Sequence, residues 1–103
     1  MKPTQSPAQI LERLVSSAAN AAAARDTYHF TALELERAER SDVGPVRTHE
    51  REQTVLAITL AALAAEFCGV PGLRTESAIT FQPGAASPGR SGYEQRLRAA
   101  LEK

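Results

Sequence analysis

A chain of 103 residues has room for one domain with a modest core; 43% of its residues are apolar but only 5% aromatic, so alanine carries much of the apolar count. Twelve basic side chains cancel twelve acidic ones, which removes the basic excess of a phosphate-neutralising protein and argues against nucleic acid as a partner. Cys68 is the single cysteine, so no intrachain disulfide can form, and the longest apolar run, Thr54 to Cys68, is about five residues short of the roughly 20 needed to cross a bilayer.

The opening stretch Met1 to Pro7 lacks the apolar centre of a secretory leader, so a cytoplasmic protein with no membrane attachment is expected. Burial is worth about 25 cal/mol per Å², and alanine buries little. An alanine-rich interior therefore stabilises a monomer weakly and favours close helix packing or association with a second copy.

Ser6-Pro7-Ala8-Gln9 is a helix start. Ser6 can accept from the amide three residues on, Pro7 fits the first helical position, and Gln9 can reach back to close a capping box. Leu11, Leu14, Ala18, Ala21, Arg25, Tyr28, Ala32 and Leu35 then recur at three- and four-residue spacing, and Arg25 is the one position of this seam that is not apolar. The pattern predicts a long helix over about residues 7–40. Such a rod is about 50 Å long at 1.5 Å per residue, against a radius of gyration near 13 Å for a compact domain of this size. Either the molecule is elongated or the helix breaks, and the weakest point is Asp26-Thr27-Tyr28-His29-Phe30. A rival reading makes residues 27–37 a strand in an α+β fold, pairing across the turn at Ser41 to Pro45; against it, Ala32 to Ala38 favours helix and does not alternate.

Ser41-Asp42-Val43-Gly44-Pro45 reads as the break between two antiparallel helices. The second should span about residues 46–68, with Gly69 closing its C-terminus and Pro71 beyond. Leu56, Leu60, Leu63 and Phe67 read as its packing seam. From Val55 to Ala65 only Thr59 is polar, however, so the helix is apolar around nearly its whole circumference. One partner helix can hardly cover that.

Residues 75–82, with Ile79 and Phe81 among β-branched and polar neighbours, suit a short extended segment. Residues 83–92 are rich in Gly, Pro and Ser and read as a flexible loop. Ser91 and Glu94 form a second capping-box pattern, and Tyr93, Leu97, Ala100 and Leu101 mark the apolar side of a short C-terminal helix over about residues 92–102. The expected fold is thus all-α: an antiparallel helical hairpin plus a short third helix, in one domain over residues 1–103.

The candidates for chemistry are sparse. His29 and His49 stand apart from any Glu-x-x-His, His-x-x-x-His or Cys-x-x-Cys spacing, so no metal site and no cofactor is expected. Glu34, Glu36, Glu39, Glu50 and Glu52 could converge where the hairpin closes. Arg37, Arg40, Arg47 and Arg51 are interleaved with them, and Glu36 to Arg40 has favourable helical spacing, so a salt-bridged hairpin end is expected. Cys68 lies at a helix C-terminus, where the dipole disfavours a thiolate, and reads as an inert thiol. No glycine pattern forms a phosphate loop.

Leu63 to Pro71 resembles the first helix and turn of a helix-turn-helix unit. Thr75 then stands where an aliphatic residue belongs, Gly72 weakens the start of the second helix, and Arg74 is its one basic residue. A DNA-binding regulator centred on residues 63–80 is therefore the alternative. The leading expectation is a noncatalytic interaction or assembly protein that pairs with itself or another protein. Its interface candidates are Leu11, Leu14, Ala18, Ala21, Tyr28, Leu35, Leu56, Leu60, Leu63 and Phe67.

Overall fold

Ser6 opens the first helix through a closed capping box: its Oγ accepts from the Gln9 N–H at 3.2 Å, and Gln9 Oε1 accepts from the Ser6 N–H at 2.9 Å. In the computed structural model, which describes residues 5–82 and 84–102, helix α1 then runs unbroken over Pro7–Arg37, 31 residues. Helix α2 spans Val43–Phe67, a four-residue 3-10 turn spans Glu76–Ile79, and helix α3 spans Gly89–Leu101. The described residues contain no strand, which corrects both the strand considered at 27–37 and the extended segment considered at 75–82. The leader reading at residues 1–4, Pro83 of the expected loop and Lys103 lie outside the described residues.

The weak stretch at 26–30 stays helical because tertiary partners engage the Asp26, Tyr28 and His29 side chains. Asp26 is drawn to residues of α3 and its approach, Tyr28 stacks on His49 with ring centroids 5.3 Å apart, and His29 meets Glu50 at 2.9 Å. Thr27 and Thr31 satisfy their hydroxyls on the carbonyls of Ala23 and Thr27 one turn back, within the helix itself. The molecule is accordingly elongated, with a radius of gyration of 15.5 Å and principal extents of 52 × 34 × 22 Å.

α1 ends in a Schellman-type turn. Ala38 is the C-cap, Glu39 takes a left-handed conformation at φ 55°, and the Arg40 N–H reaches the Leu35 carbonyl at 2.9 Å. α2 begins three residues earlier than its glycine and proline suggest. Pro45 sits in the first turn, where its missing N–H has no intrahelical acceptor to lose. At the far end Gly69 adopts φ 77° and lets the Val70 N–H bond the Ala65 carbonyl at 2.9 Å. α3 also begins early, at Gly89 rather than at about residue 92. Ser87 rather than Ser91 meets the helix start, its Oγ accepting from the Gly89 N–H at 3.2 Å, while Glu94 turns instead toward Arg98 and Arg90.

α1 is the central helix. α2 packs antiparallel along one side of it, through Ala18, Ala21 and Ala22 of α1 and Ala57, Ala61 and Ala64 of α2. α3 lies along another side, also antiparallel, as the pairs Glu12 with Arg98, Ser16 with Arg90 and Asp26 with Ser87 show. Ile79 of the 3-10 turn, Tyr93, Leu97 and Val15 are the largest fully enclosed side chains. With 13 residues α3 is about 20 Å long. It covers the first half of α1 and leaves the corresponding face of the second half open.

Candidate functional site

α2 has two apolar faces, and the smaller side chains are the ones turned inward. Ala57, Ala61, Ala64 and Ala65 are buried, whereas Val55, Leu56, Leu63 and Phe67 are 64, 45, 44 and 43% exposed. The leucine spacing that suggested a packing seam thus lies mostly on the opposite side from α1, with Leu60 on its margin and partly packed on the core. Alanine wins the inner position because it lets two backbones approach closely along their whole shared length. The outer stripe runs from Val55 to Phe67, about 18 Å at 1.5 Å per residue. Thr59 and Ala62 are also exposed within it, and Arg51, Glu52 and Glu66 border it. An exposed apolar patch of this kind is consistent with a general interaction surface.

The remaining interface candidates sit inside the monomer. Ala18 and Ala21 are buried, Leu11 and Leu14 pack against the core from its edge, and Tyr28 and Leu35 are half-buried. Leu56, Leu63 and Phe67 are the candidates left facing outward.

A second feature arises from the shortness of α3. The uncovered half of α1 forms the floor of an open groove of about 630 Å³, with Arg25, His29, Leu33 and Arg37 four residues apart along it. Thr80, Phe81, Gly84 and Ala85 form one wall, and Glu50 of α2 contributes to the other. Phe30 and Phe81 lie with ring centroids 5.7 Å apart, and His29 meets both edge-on, at 5.5 and 6.1 Å.

Beneath the inner end of the groove lies a buried polar network. Arg25 Nε and Nη2 donate to Asp26 Oδ1 at 3.0 and 2.8 Å, and Nη2 also donates to the Tyr93 oxygen at 2.9 Å. The Tyr93 and Ser87 hydroxyls each donate to Asp26 Oδ2 at 2.5 Å. Burial, together with the Asp26 charge, pushes the Tyr93 hydroxyl up to about 12. Of the four hydrogen bonds on this carboxylate, two come from Arg25 beside it and two, from Tyr93 and Ser87, tie α3 and its approach to α1. Sequence reasoning passed over this cluster, taking Asp26 as a helix-weakening residue; the available signal was Arg25, the lone charge in an otherwise apolar seam.

At the closed end of the hairpin Arg47 bridges Glu36 and Glu50, both at 2.7 Å, and Glu50 also holds His29 Nδ1. Arg47 is pushed above its ordinary range by these two carboxylates, Glu36 first. Burial raises the Glu50 carboxyl, but the bonds from Arg47 and His29 outweigh it and hold the group below the usual carboxylate range. Arg40 pairs with Asp42 at 3.0 Å rather than with Glu36, and His49 meets Glu52 at 3.1 Å. The salt-bridged hairpin end is therefore present: Arg47 with Glu36 and His29 with Glu50 cross the hairpin, while Arg47 with Glu50 and His49 with Glu52 run along α2. Among the described residues no three His, Cys, Asp or Glu side chains converge as metal ligands, and no helix is long and apolar enough to cross a membrane. Cys68 is half-buried at the end of α2.

The helix-turn-helix resemblance does not survive. Gly69 and Gly72 both adopt left-handed backbone around Pro71, so the chain cannot re-enter an α-helix at once. The next element is the four-residue 3-10 turn, with Thr75, Ala78 and Ile79 buried. A turn that short, with its side chains in the core, cannot lie in a major groove.

No protein-family model matches this chain, and neither a curated protein nor a solved structure is detectably similar to it.

Proposed function

We propose that this chain is a noncatalytic assembly protein that pairs with a second copy through the outer face of α2. The observation that carries the reading is the outward display of Val55, Leu56, Leu63 and Phe67 on a helix whose inner face is already satisfied by alanine. A two-fold interface must be self-complementary, each residue meeting a partner that returns the contact. An antiparallel α2 pair centred near Thr59 meets that condition, since it sets Leu56 of each copy against Leu63 of the other. The same arrangement brings Arg51 within side-chain reach of Glu66 across the pair. Among the described residues neither of these charges has an ion-pair partner of its own, whereas Glu50 and Glu52, next to Arg51, do.

The test is sedimentation equilibrium over a micromolar concentration range, with Leu63→Glu as the control. The expected result is a dimer that the substitution converts to a monomer, with the helical content unchanged because Leu63 is exposed in the single chain. A mass of 11.0 kDa throughout for the unaltered chain would overturn the reading.

A further inference from the structure

Arg25 is held in an unusual way. Its side chain is only 9% exposed, yet it lines the open groove above the network it belongs to. Nε and Nη2 are committed to Asp26 and Tyr93, and among the described residues nothing accepts from Nη1. No enclosed side-chain nitrogen or oxygen lacks a partner among those residues, so Nη1 is not fully enclosed, and the groove is the opening that Arg25 lines. The guanidinium is thus pinned along one edge and presents the N–H groups of its free corner at the groove's inner end.

Asp26 offsets part of the charge but does not occupy that corner. Its Oδ2 already receives the Tyr93 and Ser87 hydroxyls, and its Oδ1 lies on the opposite edge of the guanidinium. A fixed guanidinium in a partly dry site is well matched to a planar carboxylate, because no side-chain order has to be imposed at binding. A second cation, Arg37, stands at the outer end of the floor with no ion-pair partner among the described residues. Of the two carboxylates lining the groove, Glu50 is already occupied by Arg47 and His29, and Glu34 lies toward the Arg37 end. The inner end is the one with guanidinium donors open to an anion.

The walls fix the other half of the ligand. Phe30 is 40% exposed, and its ring, with the Phe81 ring tilted 37° to it, the His29 ring edge-on to both and the Leu33 side chain, lines the groove with aromatic and apolar surface alongside Arg25. The volume, about 630 Å³, falls within the roughly 300–1,000 Å³ usual for small-molecule sites. We propose that this groove binds a small aromatic monocarboxylate, its carboxylate on Arg25 Nη1 and its ring laid against Phe30 and Phe81. The site is independent of the outer face of α2, and a monomer can fill it.

The probe is 2-naphthylacetate, compared by calorimetric and amide-shift titration with its primary amide and with acetate. The acid is expected to bind saturably with shifts confined to residues 25–37 and 80–85, the amide at least tenfold more weakly, and acetate without saturation. Replacing Arg25 would strand buried Asp26, so the control is Ala85→Trp, which fills the groove from an exposed segment. It should weaken the acid at least tenfold while leaving the thermal midpoint in place. Equal binding of acid and amide would overturn the proposal, as would full affinity in Ala85→Trp or shifts centred on Leu56 and Leu63.

Discussion

The Tyr93 hydroxyl of α3 donates to Asp26 of α1 at 2.5 Å, and both residues are closed to solvent. This single bond joins positions 67 residues apart and ties the third helix to the midpoint of the first. A hydrogen bond to a buried charge contributes roughly 1.5–3 kcal/mol, so Tyr93→Phe is expected to lose about that much. Asp26→Ala should lose about 3–5 kcal/mol, because it leaves Arg25 buried without its counter-charge. Denaturant unfolding of both variants checks the order: a Tyr93→Phe loss equal to or above that of Asp26→Ala would show that the carboxylate is not the hub.

The same hydroxyl predicts alkaline sensitivity. Burial, with Asp26 beside it, raises Tyr93 from 10.0 to about 12 in the folded chain. Between those values the unfolded chain has released the proton and the folded one has kept it, so the folded state is the more protonated. The contribution of this group to stability is then constant below pH 10 and falls as pH rises toward 12. The total loss is on the order of 2–3 kcal/mol. Thermal midpoints across this window should drop for the unaltered chain and be nearly flat for Tyr93→Phe.

Which parts of this molecule were readable from its residues depended on distance along the chain. The Ser6 and Gln9 capping box and the Gly69 turn are local devices, complete within a few residues, and both stand where their patterns placed them. The continuity of α1 through Asp26 to Phe30 was not readable, since the partners that hold it, Tyr93, Glu50 and His49, come from other helices. The inner face of α2 was misread for a different reason. Leu56, Leu60, Leu63 and Phe67 and the alanines at 57, 61 and 64 follow the same period on opposite sides, and periodicity alone cannot say which side α1 takes. The groove escaped notice because it exists only where α3 runs out.

If alanine is what lets α1 and α2 approach, enlarging it should hurt more than shrinking the outer leucine. Ala61 is fully buried, and Ala61→Leu forces extra volume into a close-packed seam, at about 1–3 kcal/mol. Leu63→Ala, 44% exposed in the single chain, should cost the monomer no more than about 0.5 kcal/mol. Denaturation at submicromolar concentration, where a dimer is dissociated, separates the two. A larger loss for Leu63→Ala under those conditions would mean that the inner and outer faces have been exchanged.

Glu39 holds the left-handed position that ends α1, at φ 55°. A side chain there costs roughly 1–2 kcal/mol relative to glycine, part of which glycine returns through its greater freedom in the unfolded chain. The Glu39 carboxylate makes no ion pair among the described residues that would offset the change. Glu39→Gly is therefore expected to raise stability by about 0.5–1 kcal/mol, read as a higher denaturant midpoint at unchanged slope. A lower midpoint would show that the residue is held there by a contact worth more than the strain.

The proposed α2 pairing makes a claim about charge that does not depend on the apolar stripe. Arg51 and Glu66 border that stripe about four turns of helix apart, and antiparallel pairing repeats their contact twice, once on each side of the two-fold. Exposed pairs contribute up to about 1 kcal/mol each, so Arg51→Glu, which sets like charges opposite each other at both ends, should weaken the dimer by on the order of 1–2 kcal/mol, or about five- to thirtyfold in Kd. Glu66→Arg alone should do the same. The double variant Arg51→Glu with Glu66→Arg exchanges the charges and should recover most of the lost affinity, and raised salt should shrink all three differences. Parallel pairing leaves the double variant without rescue, and a dimer built on another face leaves the affinities of all four proteins alike. Sedimentation of the four proteins distinguishes the geometries, since rescue requires the two side chains to meet across the interface.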